Sequence, residues 1–278
     1  MITKENIRTF NELNRILIKE EGFIYLLPHP ALINWISNYT ITFPSDSMIS
    51  NKYTVIPHGS ATLVFSYDGN RIFSNLFGPA TKLTCVGNDA NRFQLLFIVE
   101  FQPAGYYAFS KIPQKELTDC VIPFETVHPT MNRLMAQQLE KALDVHSLIT
   151  EMDRLIMAHL LTSPYRDEFS LANHIIVNSG GQISVKELSQ NIFYSERHLG
   201  RLFGEYMGMN IKSFSRLVRV NKAIRCLRDP HNSITQAYLQ TGFYDTPHFI
   251  HDFKSICQIT PQEYRDNMSD FYSEIAKF

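Results

Sequence analysis

Residues 183–206 read ISVKELSQNIFYSERHLGRLFGEY, and their spacing decides how the C-terminal part is built. Ser184, with Glu187 three residues on, forms a capping box: the hydroxyl takes an orphan N–H and the carboxylate reaches back to the cap. A helix therefore starts at Ser184 and runs to Gln190, ahead of Asn191, a residue type that tolerates left-handed backbone. Ser195 caps a second helix reaching Tyr206, with Leu199, Leu202 and Phe203 as its buried stripe. Arg197, His198 and Arg201 fall away from that stripe. A short helix, a tight turn and a second helix with basic residues near its start make a helix-turn-helix.

Downstream, residues 211–228 predict a longer helix. Phe214, Leu217, Val218, Ile224 and Leu227 share one face, and Lys212, Arg216 and Arg219 cluster on the other. Such a helix is ~27 Å long. With turns at its ends it can hold two probes one DNA turn apart, ~34 Å. Between Ser195 and Arg228, the cations Arg197, Arg201, Lys212, Arg216, Arg219, Lys222, Arg225 and Arg228 face only Glu196 and Glu205. That local positive stripe suits phosphates; a solvated helix face is the plain alternative.

The pattern then recurs. Asp229-Pro230 breaks the long helix, and Ser233 or Thr235 caps a short one over 234–240. Gly242 sits at the turn, where glycine adopts left-handed backbone most readily. Asp245 or Thr246 opens a last helix with Pro247 in its first turn. Phe249 and Phe253 face inward, leaving Thr246, His248 and His251 for contact.

Residues 183–265 resemble the DNA-binding domain of the AraC/XylS family of bacterial regulators. The resemblance rests on Ser195-x-Arg197-x-Leu199-x-Arg201-Leu202-Phe203, the Arg219-x-x-x-Ala223-x-x-x-Leu227 helix, and Thr241-Gly242-Phe243-Tyr244-Asp245. It continues through His248-Phe249-Ile250-x-Asp252-Phe253-Lys254 and Ile259-Thr260-Pro261-x-x-Tyr264-Arg265. It implies base or backbone contacts from Glu196, Arg197, His198 and Arg201, and from Thr246, His248 and His251 in the second unit. Lys212, Arg216, Arg219 and Lys254 are the accompanying basic candidates. Three positions depart from the family pattern: His251 stands where Arg is usual, Phe193 where the turn often has Gly, and Tyr238 where a small Ala is common. Neutral His lacks the bidentate contact of Arg to guanine, so the first unit is expected to dominate affinity. The partners implied are promoter double-stranded DNA and RNA polymerase, with activation as the usual sign of regulation.

Ahead of this domain the character differs. Residues 4–20 have apolar residues at Ile7, Phe10, Leu13 and Leu17 and predict an amphipathic helix. β-rich runs follow at 53–56, 61–67, 82–86 and 93–101, with Asp68-Gly69-Asn70 as a hairpin signal. They imply a sandwich or small barrel. The region from Pro28 to Val127 resembles an uncharacterised β-rich domain often found before this DNA-binding domain. Pro57-x-Gly59, Gly78-Pro79, Phe101-x-Pro103-x-Gly105 and Leu117-x-Asp119 carry that match. It implies a cupin-like domain that binds a small-molecule effector or mediates homodimerisation. Helical periodicity returns after Pro129, with Leu134, Leu139 and Leu143, then Leu148 to Leu160, before Pro164. Those leucines serve equally well as a dimer seam or as packing against their own sheet. The expected architecture is α+β: a β-rich domain over 1–127, a helical connector over 128–165 and an all-α domain with two helix-turn-helix units over 166–278.

Composition sets outer bounds. The chain has 278 residues, 44% of them hydrophobic, enough for about two domains. Its net charge of −1 conceals the basic stripe. No apolar run is long enough to span a bilayer and no signal peptide precedes the first helix, so a cytoplasmic location is expected. The cysteines, Cys85, Cys120, Cys226 and Cys257, are scattered without CxxC spacing and read as reduced, mostly buried thiols. No G-x-S-x-G, P-loop or GxGxxG appears, and His29, His58 and His128 are isolated, so neither enzyme, cofactor nor metal is expected. The competing reading is a metal-sensing or catalytic cupin-like domain tethered to DNA; a domain that only dimerises is a third.

Overall fold

The computed structural model describes residues 1–45, 49–160 and 167–272. The expectation that Pro164 ends a helix, and the boundary expected at 165, lie outside these residues.

The first helix, α1 (Lys4–Thr9), is far shorter than its periodicity suggests. Phe10 leaves the helix with extended backbone, and the chain enters β1 (Ile16–Lys19), antiparallel to β2 (Phe23–Leu26). Ile16 and Ile18 are half-buried while Leu17 and Lys19 are exposed, so a two-residue period overrides the helical one here. Next come β3 (Ile36–Thr42), β4 (Thr54–Val55), β5 (Thr62–Tyr67), β6 (Ile72–Phe77) and β7 (Thr84–Cys85). The helical turn α2 (Gly87–Ala90) leads into β8 (Leu95–Phe101). The Asp68-Gly69-Asn70 hairpin forms as expected, joining β5 to β6, with Asp68 Oδ1 accepting from the N–H groups of Asn70 and Arg71. A short helix α3 (Gly105–Ser110) and a 3-10 turn (Gln114–Glu116) precede β9 (Val121–Pro123).

Seven strands make one antiparallel sheet in the order β1-β2-β3-β8-β5-β6-β9. One face carries Tyr39, Ile41, Leu63, Phe65, Phe97 and Val99 into a core closed by helices α4 (Phe124–Val127), α5 (Pro129–Lys141) and α6 (Val145–Leu160). Leu148, Ile149, Met152, Leu155 and Ile156 of α6 are buried in that core, so the supposed connector packs on its own sheet. Asp153 fastens it there, accepting from Tyr39 Oη at 2.9 Å, Arg15 NH2 at 2.9 Å and the His29 backbone at 3.0 Å. Burial and this carboxylate push the Tyr39 phenol well above its ordinary pKa.

Helices α7 (Asp167–Asn178), α8 (Val185–Asn191), α9 (Glu196–Met207), α10 (Ile211–Arg228), α11 (Ile234–Gln240), α12 (Thr246–Cys257) and α13 (Pro261–Asp266) form the C-terminal part. They enclose two separate cores. Phe169, Leu199, Phe203 and Phe214 centre one, and Leu217, Leu227, Phe249, Phe253 and Tyr264 the other. The last strand, β10 (Phe271–Tyr272), runs parallel to β4, which pairs antiparallel with β7, so the C-terminal segment is sewn onto the N-terminal half. Ile56 joins the second core, and Asn221 Nδ2 donates to the Pro57 carbonyl at 3.1 Å. All four cysteines are free. Cys85 and Cys120 are exposed, contrary to the expectation of mostly buried thiols, because both lie on short surface segments. Burial pushes the Cys257 thiol far up. Among the described residues no helix is long and apolar enough to cross a membrane.

Candidate nucleic-acid interface

In the first unit the capping box forms as the spacing requires. Ser184 Oγ accepts from the Glu187 backbone at 3.1 Å, and Glu187 Oε2 accepts from the Ser184 backbone at 3.1 Å. These hydrogen bonds hold the Glu187 carboxyl below its ordinary pKa. The turn after α8 passes through Phe193, which has φ 57° and is 94% exposed. Ser195 Oγ then accepts from His198 N at 3.2 Å and starts α9. Leu199, Leu202 and Phe203 are buried, as expected. Glu196, Arg197 and Arg201 are exposed, and His198 is half-buried with its ring edge-on to Tyr194. Arg201 reaches His198 Nδ1 at 3.4 Å and Glu205 Oε2 at 3.7 Å.

The second unit repeats this frame. Ser233, not Thr235, caps α11, and Gln236 completes its capping box. Gly242 makes the turn at φ 75°. Asp245, not Thr246, caps α12, its Oδ1 accepting from His248 N at 2.7 Å. His248, His251 and Lys254 are exposed, and Thr246 is half-buried.

Here the structure adds a residue that sequence reasoning passed over. Asp252 is buried, its side chain 3% exposed, and it gathers the neighbouring basic groups around it. Arg216 Nε lies 3.3 Å from Oδ1, Arg219 NH2 3.8 Å from Oδ2, His248 Nε2 3.3 Å from Oδ2 and His251 Nδ1 3.4 Å from Oδ1. The available signal was its place in α12: a carboxylate at an inward position, three residues after Phe249 and just before Phe253.

Lys212 is exposed and Arg216 half-buried, but Arg219 does not stand out on a solvent face. Its side chain is only 19% exposed, donates to the Gly181 carbonyl and lies 5.7 Å from the Phe243 ring. The reason is that α10 has helices packed on more than one side, and Val218 and Val220 beside Arg219 are both buried. Burial lowers the pKa of this guanidinium from its very high ordinary value, with Asp252 opposing that shift. Arg219 therefore ties α10 to α12 and to the turn before α8.

The N-terminal half touches the first unit directly. Tyr107 Oη donates to Glu205 Oε1 at 2.7 Å, and its ring stacks on Tyr206 with centroids 4.1 Å apart. Thr118 Oγ1 donates to the Gly208 carbonyl at 3.1 Å. None of these contacts was legible beforehand, since each joins residues about ninety or more positions apart. Among the described residues no three His, Cys, Asp or Glu side chains are placed to share a metal ion.

Residues 188–267 match a family described as a helix-turn-helix domain, and residues 25–123 match a domain of unknown function, DUF6597. An uncharacterised HTH-type transcriptional regulator of Staphylococcus aureus is 29% identical over 147 residues, covering 50% of this chain and 18% of that protein. The HTH-type transcriptional regulator ArgR of Pseudomonas aeruginosa is 30% identical over 84 residues, covering 30% of this chain and 26% of that protein. The aligned parts thus span about a quarter or less of these curated relatives. Among solved structures, a regulator from Chromobacterium violaceum with an AraC-type DNA-binding domain matches with TM-score 0.34 and 28% identity, over 36% of this chain and 89% of that one. An apo ToxT variant from Vibrio cholerae matches with TM-score 0.43 and 9% identity, over 82% of this chain and 97% of that one.

Proposed function

Because the chain carries an AraC-type helix-turn-helix domain behind a DUF6597 domain, we propose that it is a sequence-specific DNA-binding transcription regulator. The observation that carries this reading is the repetition of one frame on both sides of α10. Each time a capped short helix, a left-handed turn and a capped second helix present polar side chains outward. The 18-residue spacer α10 is ~27 Å long and, with the turns, suits two adjacent major grooves.

In this reading Glu196, Arg197, His198 and Arg201 contact DNA from α9, and Thr246, His248, His251 and Lys254 do so from α12. Lys212 and Arg216 serve phosphates, while Arg219 acts indirectly by holding the helices in place. The N-terminal domain carries control, through a small-molecule effector or a second copy of the chain. Activation through RNA polymerase in the cytoplasm of a bacterium completes the proposal.

The test is retention of genomic DNA fragments by the full chain, followed by titration with salt. Binding is expected to favour particular fragments and to fall steeply with salt, since each neutralised phosphate adds about −0.9 to the log–log slope. Failure to retain any duplex at low salt would sink the proposal. For the effector, a metabolite that raises the melting temperature identifies a ligand bound by the native state.

A further inference from the structure

Building on that proposed function, we infer that the DNA-binding face continues onto the N-terminal domain, where Lys115 meets the phosphate strand bordering the groove entered by α9. Two clefts flank Arg201. One, of about 380 Å³, is lined by Ser195, Arg197, His198 and Arg201. The other, of about 410 Å³, is lined by Pro113, Lys115, Arg201, Gly204 and Glu205. A polyanion lying along the first runs past Arg201 into the second.

The floor between them is bare. A Cβ added at Gly200 or Gly204 would meet no atom within 4 Å beyond its chain neighbours and the helix's own nearby backbone. From Arg197 to Gly204 the outward stripe of α9 is ~10 Å long, close to the ~12 Å width of the major groove. With Arg197 at one edge of the groove, the opposite phosphate strand falls at Gly204, the position beside Lys115.

Lys115 is held at this spot rather than carried on a loose loop. Its 3-10 turn is anchored to α9 by Thr118 on Gly208, and α3 is anchored by Tyr107 on Glu205 and Tyr206. Ala104, Lys111 and Asp119, at the ends and in the middle of this segment, all have left-handed backbone, at φ 63°, 57° and 57°, a conformation that persists only where surrounding contacts hold it. The acid lining the cleft is already engaged. Glu205 accepts from Tyr107 through one oxygen and pairs with Arg201 through the other. Glu116, next along the turn, is exposed and does not line the cleft.

The test compares the full-length wild type with Lys115→Ala and Lys115→Arg, using a duplex of random sequence over a salt series. The expected result for Lys115→Ala is a salt slope shallower by about 0.9, the value for one lost phosphate contact, while Lys115→Arg keeps the wild-type slope. An unchanged slope in Lys115→Ala overturns the inference. So does tighter binding by that variant, which would make the segment an obstacle instead. If the wild type itself binds no DNA, the proposed function fails along with the inference, and that result is distinct from either of the others.

Discussion

Superposed by their caps, Ser195 and Asp245, the two helix-turn-helix units share a frame and differ in where they put charge. Leu199 corresponds to Phe249 and Phe203 to Phe253, and all four are buried. Leu202, however, corresponds to Asp252. In the first unit that inward position is apolar, so Arg197 and Arg201 extend from a helix whose interior makes no demand on them. In the second, a buried carboxylate draws Arg216, Arg219, His248 and His251 toward itself. One inward residue thus decides how far the surrounding basic groups are tied to the fold: Arg219 is largely buried against it, whereas Arg216, His248 and His251 keep much of their side chains exposed.

The comparison is broken most forcefully by making the second unit like the first. Asp252→Leu supplies the apolar packing of Leu202 but leaves Arg219 largely buried beside an uncharged group. Removing one partner of a buried ion pair costs about 3–5 kcal/mol. The half-exposed Arg216 can relax into water, so the lower end of about 3 kcal/mol is expected. Urea unfolding of the full chain measures it. Unchanged stability would mean that this cluster is an ordinary surface ion pair and that the two units do not differ as argued.

A second test is made on DNA. Arg201→Ala is expected to reduce discrimination between matched and scrambled duplexes by about 1–3 kcal/mol, the range for one bidentate base contact. His251→Ala, at the corresponding position of α12, should have a smaller effect. Competition binding with both variants decides the order, and a larger loss from His251→Ala would reverse the ranking of the units.

How much of this was legible follows from how local each feature is. Helix caps, turns and inward stripes depend on neighbours within about four residues, and both helix-turn-helix units were legible for that reason. The strand β3 was not, although it lies directly beside β8, the middle strand of the sheet. Its residues Ser37, Asn38, Thr40 and Thr42 are buried polar groups, which do not look like core in a linear pattern. The helix expected over 4–20 failed because Ile16 and Ile18 pair with β2, a choice made by tertiary contact. Likewise the cations of the long helix were legible as a group, but not that Arg219 turns inward. That depends on the Gly181 carbonyl and Asp252, residues well away in sequence.

The turns offer a smaller test. Phe193 and Gly242 occupy equivalent positions just after α8 and α11, both with left-handed backbone. Phe193 has almost no burial to offset that conformation. Phe193→Gly is therefore expected to stabilise the chain by about 1 kcal/mol, close to the penalty for a side chain in this region. The reverse change, Gly242→Phe, is expected to destabilise, because its Cβ would fall 2.1 Å from the Gln182 side chain. Thermal unfolding of the two variants gives the sign of each, and a lower melting temperature for Phe193→Gly would mean the phenyl ring makes a contribution of its own.

The finest distinction lies in the capping boxes. Glu187 closes the first and Gln236 the second, so only one of the two can titrate. Hydrogen bonds from Ser184 lower the folded pKa of Glu187 below its ordinary value of 4.5. Its contribution is therefore present above the unfolded pKa and is lost as pH falls through the folded one. The Ser233–Gln236 box, having no proton to gain, is indifferent over the same range. Amide hydrogen exchange between about pH 5 and 3, corrected for the intrinsic rate, is expected to show the first turn of α8 opening while that of α11 keeps its protection. Equal loss in both would assign the acid response to the whole domain, and Glu187→Gln, which makes the boxes alike, should abolish the difference.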